Sequence, residues 1–188
     1  MQSISPETIF RGNDAWENAL PQITNLTKSP LILGRSVHTI EIKNKIFRDL
    51  KKSELNVNSA NLQFDCCYED ISKIKEIILN FNHDAVIAVG GGKVLDSGKY
   101  IAEILNIPCI TVPLSASTCA GWTALSNIYT KKGQFIKDVA LRSCPKVLVF
   151  DHKFIQTAPS RTLASGIADA LAKWYESSIT SSTIDDGL

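Results

Sequence analysis

Three consecutive glycines, Gly90, Gly91 and Gly92, separate the apolar run Ala85–Val89 from a segment, Lys93–Leu105, whose apolar residues recur at helical spacing. A strand turning through glycine into a helix presents the helix's first amide groups, and with them positive partial charge. Glycine has no Cβ, so a ligand can come close to that backbone. Phosphate binding is the chemistry such a turn suits, with a ligand-free bend as the structural alternative. Lys93 stands beside the turn, and Asp96 lies one turn inside, where a carboxylate complements the helix dipole. Two familiar phosphate motifs are excluded. The P-loop lysine is followed by Ser or Thr, whereas Lys93 is followed by Val94. The GxGxxG pattern requires glycine where Leu95 stands.

Asp169 is the second candidate. It sits among Gly166, Ala168, Ala170 and Ala172, a helix surface small enough for something to approach. A carboxylate is a suitable hard ligand for zinc or iron. An i,i+4 pair with Lys173 is the simpler reading on spacing alone. His38, His83 and His152 are scattered and read as ordinary surface or core residues. The five cysteines, at 66, 67, 109, 119 and 144, are odd in number and form no CxxC pair. They read as reduced thiols, which points to a cytoplasmic protein.

These residues need elements to hold them. Pro30–Gly34 reads as a short strand, and Ser36 as a cap for a helical segment carrying Val37, Ile40, Ile46, Phe47 and Leu50. A second short strand is expected at Leu62–Cys66. Ile71, Ile74, Ile77, Ile78 and Phe81 mark an amphipathic helix. Ala85–Val89 reads as a buried strand, Lys93–Leu105 as a helix with Val94, Leu95, Ile101, Ile104 and Leu105 inward, and Ile107–Val112 as the next strand. Such alternation implies a parallel sheet with helices on both faces. Segments 126–130 and 135–141 flank Lys-Lys-Gly-Gln and read as an inserted hairpin; Val147–Phe150 returns to the sheet. A long helix follows from Pro159 through Thr180, with Leu163, Ile167, Leu171 and Trp174 on one face.

The 188 residues are 44% apolar and 21% charged, with a formal net charge of +1. That is the balance of a globular protein with a core, and it gives no electrostatic reason to expect nucleic acid or an anionic membrane as partner. No apolar stretch approaches the ~20 residues of a membrane span. The first twenty residues lack a basic start followed by an apolar run, so no secretory signal is expected. The last eight, SSTIDDGL, close no compact unit, which leads us to expect a longer protein.

GGGKVLDSGK resembles the GGGKxxD motif of the iron-containing, or group III, metal-dependent alcohol dehydrogenase superfamily. Two further stretches, PCITVPLSASTCAGWTALSNIYTKKGQF and APSRTLASGIADALAKWYES, are similar to segments of its glycerol dehydrogenase branch, in the same order. The resemblance covers roughly Leu31 to Ser178. It implies an α/β parallel-sheet dinucleotide-binding domain with an inserted hairpin, residues 1–157, and the beginning of an all-helical metal-binding domain, residues 158–188. It implies NAD or NADP, a divalent metal such as zinc or iron, and hydride transfer between a small alcohol or polyol and its carbonyl compound. Gly91, Gly92 and Lys93 would cradle the pyrophosphate. Asp96, Ser115, Ser117, Thr118, Thr123, Leu125 and Tyr129 would line the nicotinamide pocket; core packing is the equal alternative for Leu125 and Tyr129. Cys119 would face substrate, Asp169 would bind the metal, and a homo-oligomer is expected.

Four departures qualify that picture. Cys119 replaces an aspartate that contacts substrate hydroxyls in glycerol dehydrogenases, and Trp122 stands close by in the sequence. A thiol is a weak acceptor, so substrates other than glycerol are open. Leu114 replaces a threonine. Arg35 stands where the branch usually has an aspartate for the adenosine ribose, which favours NADP if the guanidinium pairs with a 2′-phosphate; an arginine in water is the alternative. The three histidines lie outside the metal motif. A dehydroquinate-synthase-like lyase and a catalytically incomplete nucleotide-binding piece are the competing readings.

Overall fold

The computed structural model describes residues 5–183. In chain order its elements are β1 (Thr8–Gly12), α1 (Ala15–Leu26), β2 (Pro30–Gly34), α2 (Ile40–Lys52), β3 (Asn58–Asn61), α3 (Tyr68–Asn80), β4 (Ala85–Gly90) and α4 (Gly92–Leu105). Then come β5 (Cys109–Pro113), β6 (Leu125–Tyr129), β7 (Phe135–Ala140), β8 (Val147–Asp151), α5 (His152–Gln156) and α6 (Ser160–Thr183). Six strands form one parallel sheet in the order β1-β8-β5-β4-β2-β3, and β6 and β7 form a separate antiparallel pair.

The central strands β2, β4 and β5 are buried along their whole length. Their alternate residues feed two cores, as the two-residue period of a strand requires. Ile32, Ile87, Val89 and Ile110 meet Trp16 and Ile23 of α1 and Ile46 and Leu50 of α2. Leu31, Leu33, Val86 and Ala88 meet Ile71, Ile74 and Ile78 of α3 and Val94, Leu95 and Ile101 of α4. So α2, leaving β2, and α4, leaving β4, lie on opposite faces of the sheet. These strands are neighbours, so the loops after them diverge and leave a crevice at the carboxyl ends.

The α/β parallel sheet and the inserted hairpin expected from the sequence are present. The strand expected at Leu62–Cys66 is not; the chain pairs four residues earlier, where Leu31–Gly34 meets Asn58–Asn61. Leu62 and Cys66 are buried under a bend instead. There Asp65 accepts the Cys66 amide at 2.9 Å, and Asp70 accepts that of Phe64 at 2.7 Å. Ile104, expected inward, is exposed, as are Val37, Ile40 and Phe81 of the two helical patterns. The first strand and helix carried no expectation. β1 pairs with β8 at the sheet edge, and Asp151 accepts the Trp16 amide at 3.0 Å to hold α1 down. No helix of the described residues is long and apolar enough to cross a membrane. The expected open end at SSTIDDGL lies, from residue 184 on, outside the described residues.

Candidate functional site

β4 delivers the three glycines to the crevice, and α4 begins at Gly92. Its N-cap is Gly91, which has extended backbone (φ −84°, ψ −176°) and no side-chain cap. The first turn therefore offers its amides to whatever approaches from the crevice. A Cβ added at Gly91 would meet nothing nearer than Ser115 Oγ at 3.8 Å, and one at Gly92 would press on Thr118 Cγ2 at 3.1 Å. A Cβ at Gly90 would strike Val94 at 2.8 Å, so that glycine is required by packing. The turn thus has one glycine for fold and two that leave a cradle.

Two clefts open from this cradle. One, of about 220 Å³, lies between Gly90–Lys93 and the loop after β2, and is lined by Arg35, Ser36 and Thr39. Ser36 accepts the His38 amide at 3.2 Å and so shapes that loop. The other, of about 370 Å³, runs toward the hairpin. It is lined by Gly92, Lys93, Asp96, Ser117, Thr118, Cys119, Thr123, Leu125, Asn127 and Tyr129, with Ser165 of α6 at its edge. The residues expected around a nicotinamide ring therefore converge, apart from Ser115. Ser115 sits at the glycine turn and hydrogen-bonds Ser117 through their hydroxyls at 3.0 Å. Arg35 lies across the turn in the first cleft.

The second cleft is charged on its α4 side. Asp96 is buried, 3.0 Å from Lys99 Nζ, and accepts the Asn127 amide at 3.4 Å. Burial pushes its carboxyl above the usual range, and Lys99 opposes that shift. Tyr129 is likewise pushed up, by burial first and then by the Asp96 and Asp65 carboxylates. Its side chain both packs on the α4-side core and faces the cleft, so the two readings of Tyr129 coexist. Leu125 is exposed at the cleft and is not core. Lys93 pairs with buried Asp65, and its ammonium stands 5.7 Å from the centre of the Tyr129 ring. Thr111 and Ser126 are structural: their hydroxyls donate to Gly121 O at 2.9 Å and Asp96 O at 3.0 Å.

Asp169 projects from α6 into a third cavity, of about 430 Å³, shared with Cys119, Thr118, Trp122, Phe150 and Lys173. The close approach of α6 depends on Gly166, where a Cβ would lie 1.8 Å from Ala116 O. Trp122 stacks at a tilt on Phe150, with ring centroids 4.9 Å apart. Asp169 Oδ1 is 4.0 Å from Lys173 Nζ, at the limit of an ion pair. Among the described residues no three His, Cys, Asp or Glu side chains come together to hold a metal. His38 is exposed, His83 is buried against Ser29 and Asn58, and His152 packs edge-on to Phe150. One carboxylate is short of the three protein ligands typical of a catalytic metal, so this set does not by itself fit one.

Sequence reasoning missed Asp65, Asn127 and the tether formed by Lys99. Asp65 and Lys93 are too far apart in the chain for spacing to signal their pairing. Lys99 is three residues after Asp96, and that helical spacing was a usable signal.

Residues 6–152 match the family described as iron-containing alcohol dehydrogenase. An uncharacterized oxidoreductase of Synechocystis is 37% identical over 185 residues, covering 98% of this chain and 47% of that protein. A glycerol dehydrogenase of Escherichia coli is 31% identical over 172 residues, covering 92% of this chain and 47% of that one. The crystal structure of glycerol dehydrogenase from Schizosaccharomyces pombe superposes with a TM-score of 0.82 at 30% identity, covering 92% of this chain and 44% of that one. The chain belongs to the iron-containing alcohol dehydrogenase family, a family of oxidoreductases, and spans about half the length of the curated relatives it matches.

Proposed function

We propose that this member of the iron-containing alcohol dehydrogenase family is the nucleotide-binding part of a dehydrogenase that uses a nicotinamide dinucleotide to interconvert a small alcohol or polyol with its carbonyl compound. The observation that carries the reading is the α4 N-terminus, uncapped by any side chain and opening onto clefts on both sides. A dinucleotide has that shape: a central pyrophosphate with a nucleoside at each end. Gly91, Gly92 and Lys93 take the pyrophosphate on backbone amides, which suits a Lys93 already paired with Asp65. The adenosine end goes to the cleft with Arg35, whose guanidinium matches a 2′-phosphate and favours NADP over NAD. The nicotinamide end goes to the cleft with Asp96, Ser117, Thr118, Thr123, Leu125 and Tyr129. A ring bound there supplies the hydride acceptor or donor. Asp96 and Asn127 orient its polar edge, and Cys119 stands between this cleft and the Asp169 cavity, where substrate would lie.

Residues 1–157 form the nucleotide domain in this reading, and 158–188 begin the helical one. Asp169 contributes one ligand at most to a zinc or iron site. The five cysteines, none of them in a disulfide, fit a reducing cytoplasm. Fluorescence titration of the chain with NADPH and NADH tests the reading. We expect both to bind, NADPH about tenfold more tightly, and Arg35→Gln to erase the difference. Equal affinities in the unsubstituted chain would remove the NADP preference; no binding of either would remove the dinucleotide.

A further inference from the structure

Lys99 is the most deeply buried ammonium in the described part of this protein, its side chain 1% exposed. It projects from α4 about two turns beyond the glycine cradle, and none of the crevice residues expected from the sequence includes it. Its Nζ donates to Thr123 O and Thr123 Oγ1, each at 3.2 Å, and to Leu125 O. The same Nζ pairs with Asp96 Oδ1 at 3.0 Å. One cation therefore joins the α4 wall of the second cleft, through Asp96, to the opposite wall at the root of the hairpin. Two weaker ties run in parallel: Ser126 Oγ to Asp96 O at 3.0 Å, and the Asn127 amide to Asp96 Oδ2 at 3.4 Å.

A buried ammonium is an expensive way to join a helix to a strand. An apolar side chain of similar length would avoid its desolvation and pack at lower cost. What the ammonium adds is direction, because several fixed acceptors must converge on one point. On its rear side Lys99 lines a cavity of about 340 Å³ with Cys109, Arg142 and Cys144, across which Arg142 donates to Glu103 O of α4 at 2.9 Å. The hairpin's outer strand β7 is exposed over nearly its whole length, and the inner strand is held at its far end by buried Ile128 and by the Tyr129 amide donating to Cys66 O at 2.8 Å, which leaves Lys99 as the charged tie at its near end.

We infer that Lys99 is a positioning residue: its ammonium sets the spacing between Asp96 and the Thr123–Leu125 wall, and with it the fit of the nicotinamide end of the dinucleotide. The inference rests on the dinucleotide reading above. It concerns one end of the ligand only. Lys99 is not among the residues of the pyrophosphate cradle or of the Arg35 cleft.

That asymmetry supplies the test. Lys99→Met and Ser126→Ala are titrated with NADPH, with NADH and with ADP-ribose, which lacks the nicotinamide. Hydrogen exchange of residues 123–129 is followed in parallel. For Lys99→Met we expect reduced-dinucleotide affinity to fall at least tenfold, with ADP-ribose affinity within about twofold. We also expect the bound-state enhancement of nicotinamide fluorescence to be lost and exchange at 123–129 to quicken. Ser126→Ala, which removes an uncharged tie, should move the same readouts in the same direction by less. A purely structural lysine would weaken all three ligands together or none, and either result overturns the inference. If Lys99→Met does not fold, Ser126→Ala decides: unchanged dinucleotide affinity with faster exchange at 123–129 would also overturn it. An unsubstituted chain that binds neither ADP-ribose nor NADPH would instead sink the dinucleotide reading, while the exchange data still report whether Lys99 holds the hairpin.

Discussion

Gly91 and Gly98 bracket the first two turns of α4, and a methyl group added to each meets different surroundings. At Gly98 it would lie 2.5 Å from Ala88 Cβ and 3.4 Å from Val86 Cγ1, forcing the helix off the sheet. The gain in helix propensity from Gly to Ala, up to ~1 kcal/mol, does not offset that overlap. We expect Gly98→Ala to lose about 1–3 kcal/mol in urea unfolding. At Gly91 the backbone is extended, which any residue adopts, and the space is open. Gly91→Ala should keep its stability to within ~1 kcal/mol and lose nucleotide affinity about tenfold, because the methyl group occupies the approach to the α4 amides. Equal loss of stability at both sites would mean that the turn is a packed bend. The sequence shows three glycines alike; only the neighbours across the fold separate those that pack from those that admit a ligand. Arg35 teaches the same lesson, since its place beside the glycine turn depends on β2 and β4 being adjacent, which no local pattern states.

Elements were legible where burial is two-sided. β2, β4 and β5 read as apolar runs because parallel central strands face a core on each side. Edge strands are covered by a neighbour on one side only, and their sequences blur accordingly. β3 is Asn-Ser-Ala-Asn, half exposed, and the apolar Leu62 just beyond it misplaces the strand. β1 carries the same half-exposed pattern. The junction that brings α1 into β2 was invisible for another reason: it is built on a single distant carboxylate. Burial alone would push Asp84 up; hydrogen bonds from Thr27 Oγ1, from the Lys28 amide at 2.8 Å and from the Ser29 amide at 3.0 Å outweigh it and hold the carboxyl below its ordinary value. A folded value below the unfolded one stabilises the protein fully above the unfolded carboxylate range, near pH 4, and that stabilisation is lost as pH falls through the folded value. Asp84→Asn should therefore cost about 1–2 kcal/mol at pH 7 and progressively less in acid. Urea midpoints from pH 7 down to ~3 check this: the curves of the two proteins should converge, and parallel curves would contradict the assignment.

At the scale of the whole molecule the sheet and its two cores are self-sufficient, whereas α6 is not. Leu163, Ile167, Leu171 and Trp174 recur on one face, as the sequence suggests, and are 54%, 54%, 63% and 74% exposed. None of them joins either core. The close approach of Gly166 to Ala116 ties the helix to the loop that carries Thr118 and Cys119, so Asp169 faces the crevice while the apolar face points elsewhere. A run of large apolar side chains on one helix is a surface that water disfavours. The 188-residue chain in isolation should therefore bind a hydrophobic dye and associate as its concentration rises. Leu171→Glu with Trp174→Glu should suppress both, because a charge on this face must be desolvated for the helices to meet. The sheet does not depend on these side chains, so nucleotide binding at the α4 N-terminus should survive the double substitution within about twofold. Light scattering over a concentration series, alongside dye fluorescence, decides the matter. A monodisperse monomer that leaves the dye dark would mean that α6 covers its own apolar face in solution. The cavity around Asp169 would then have different walls from those described.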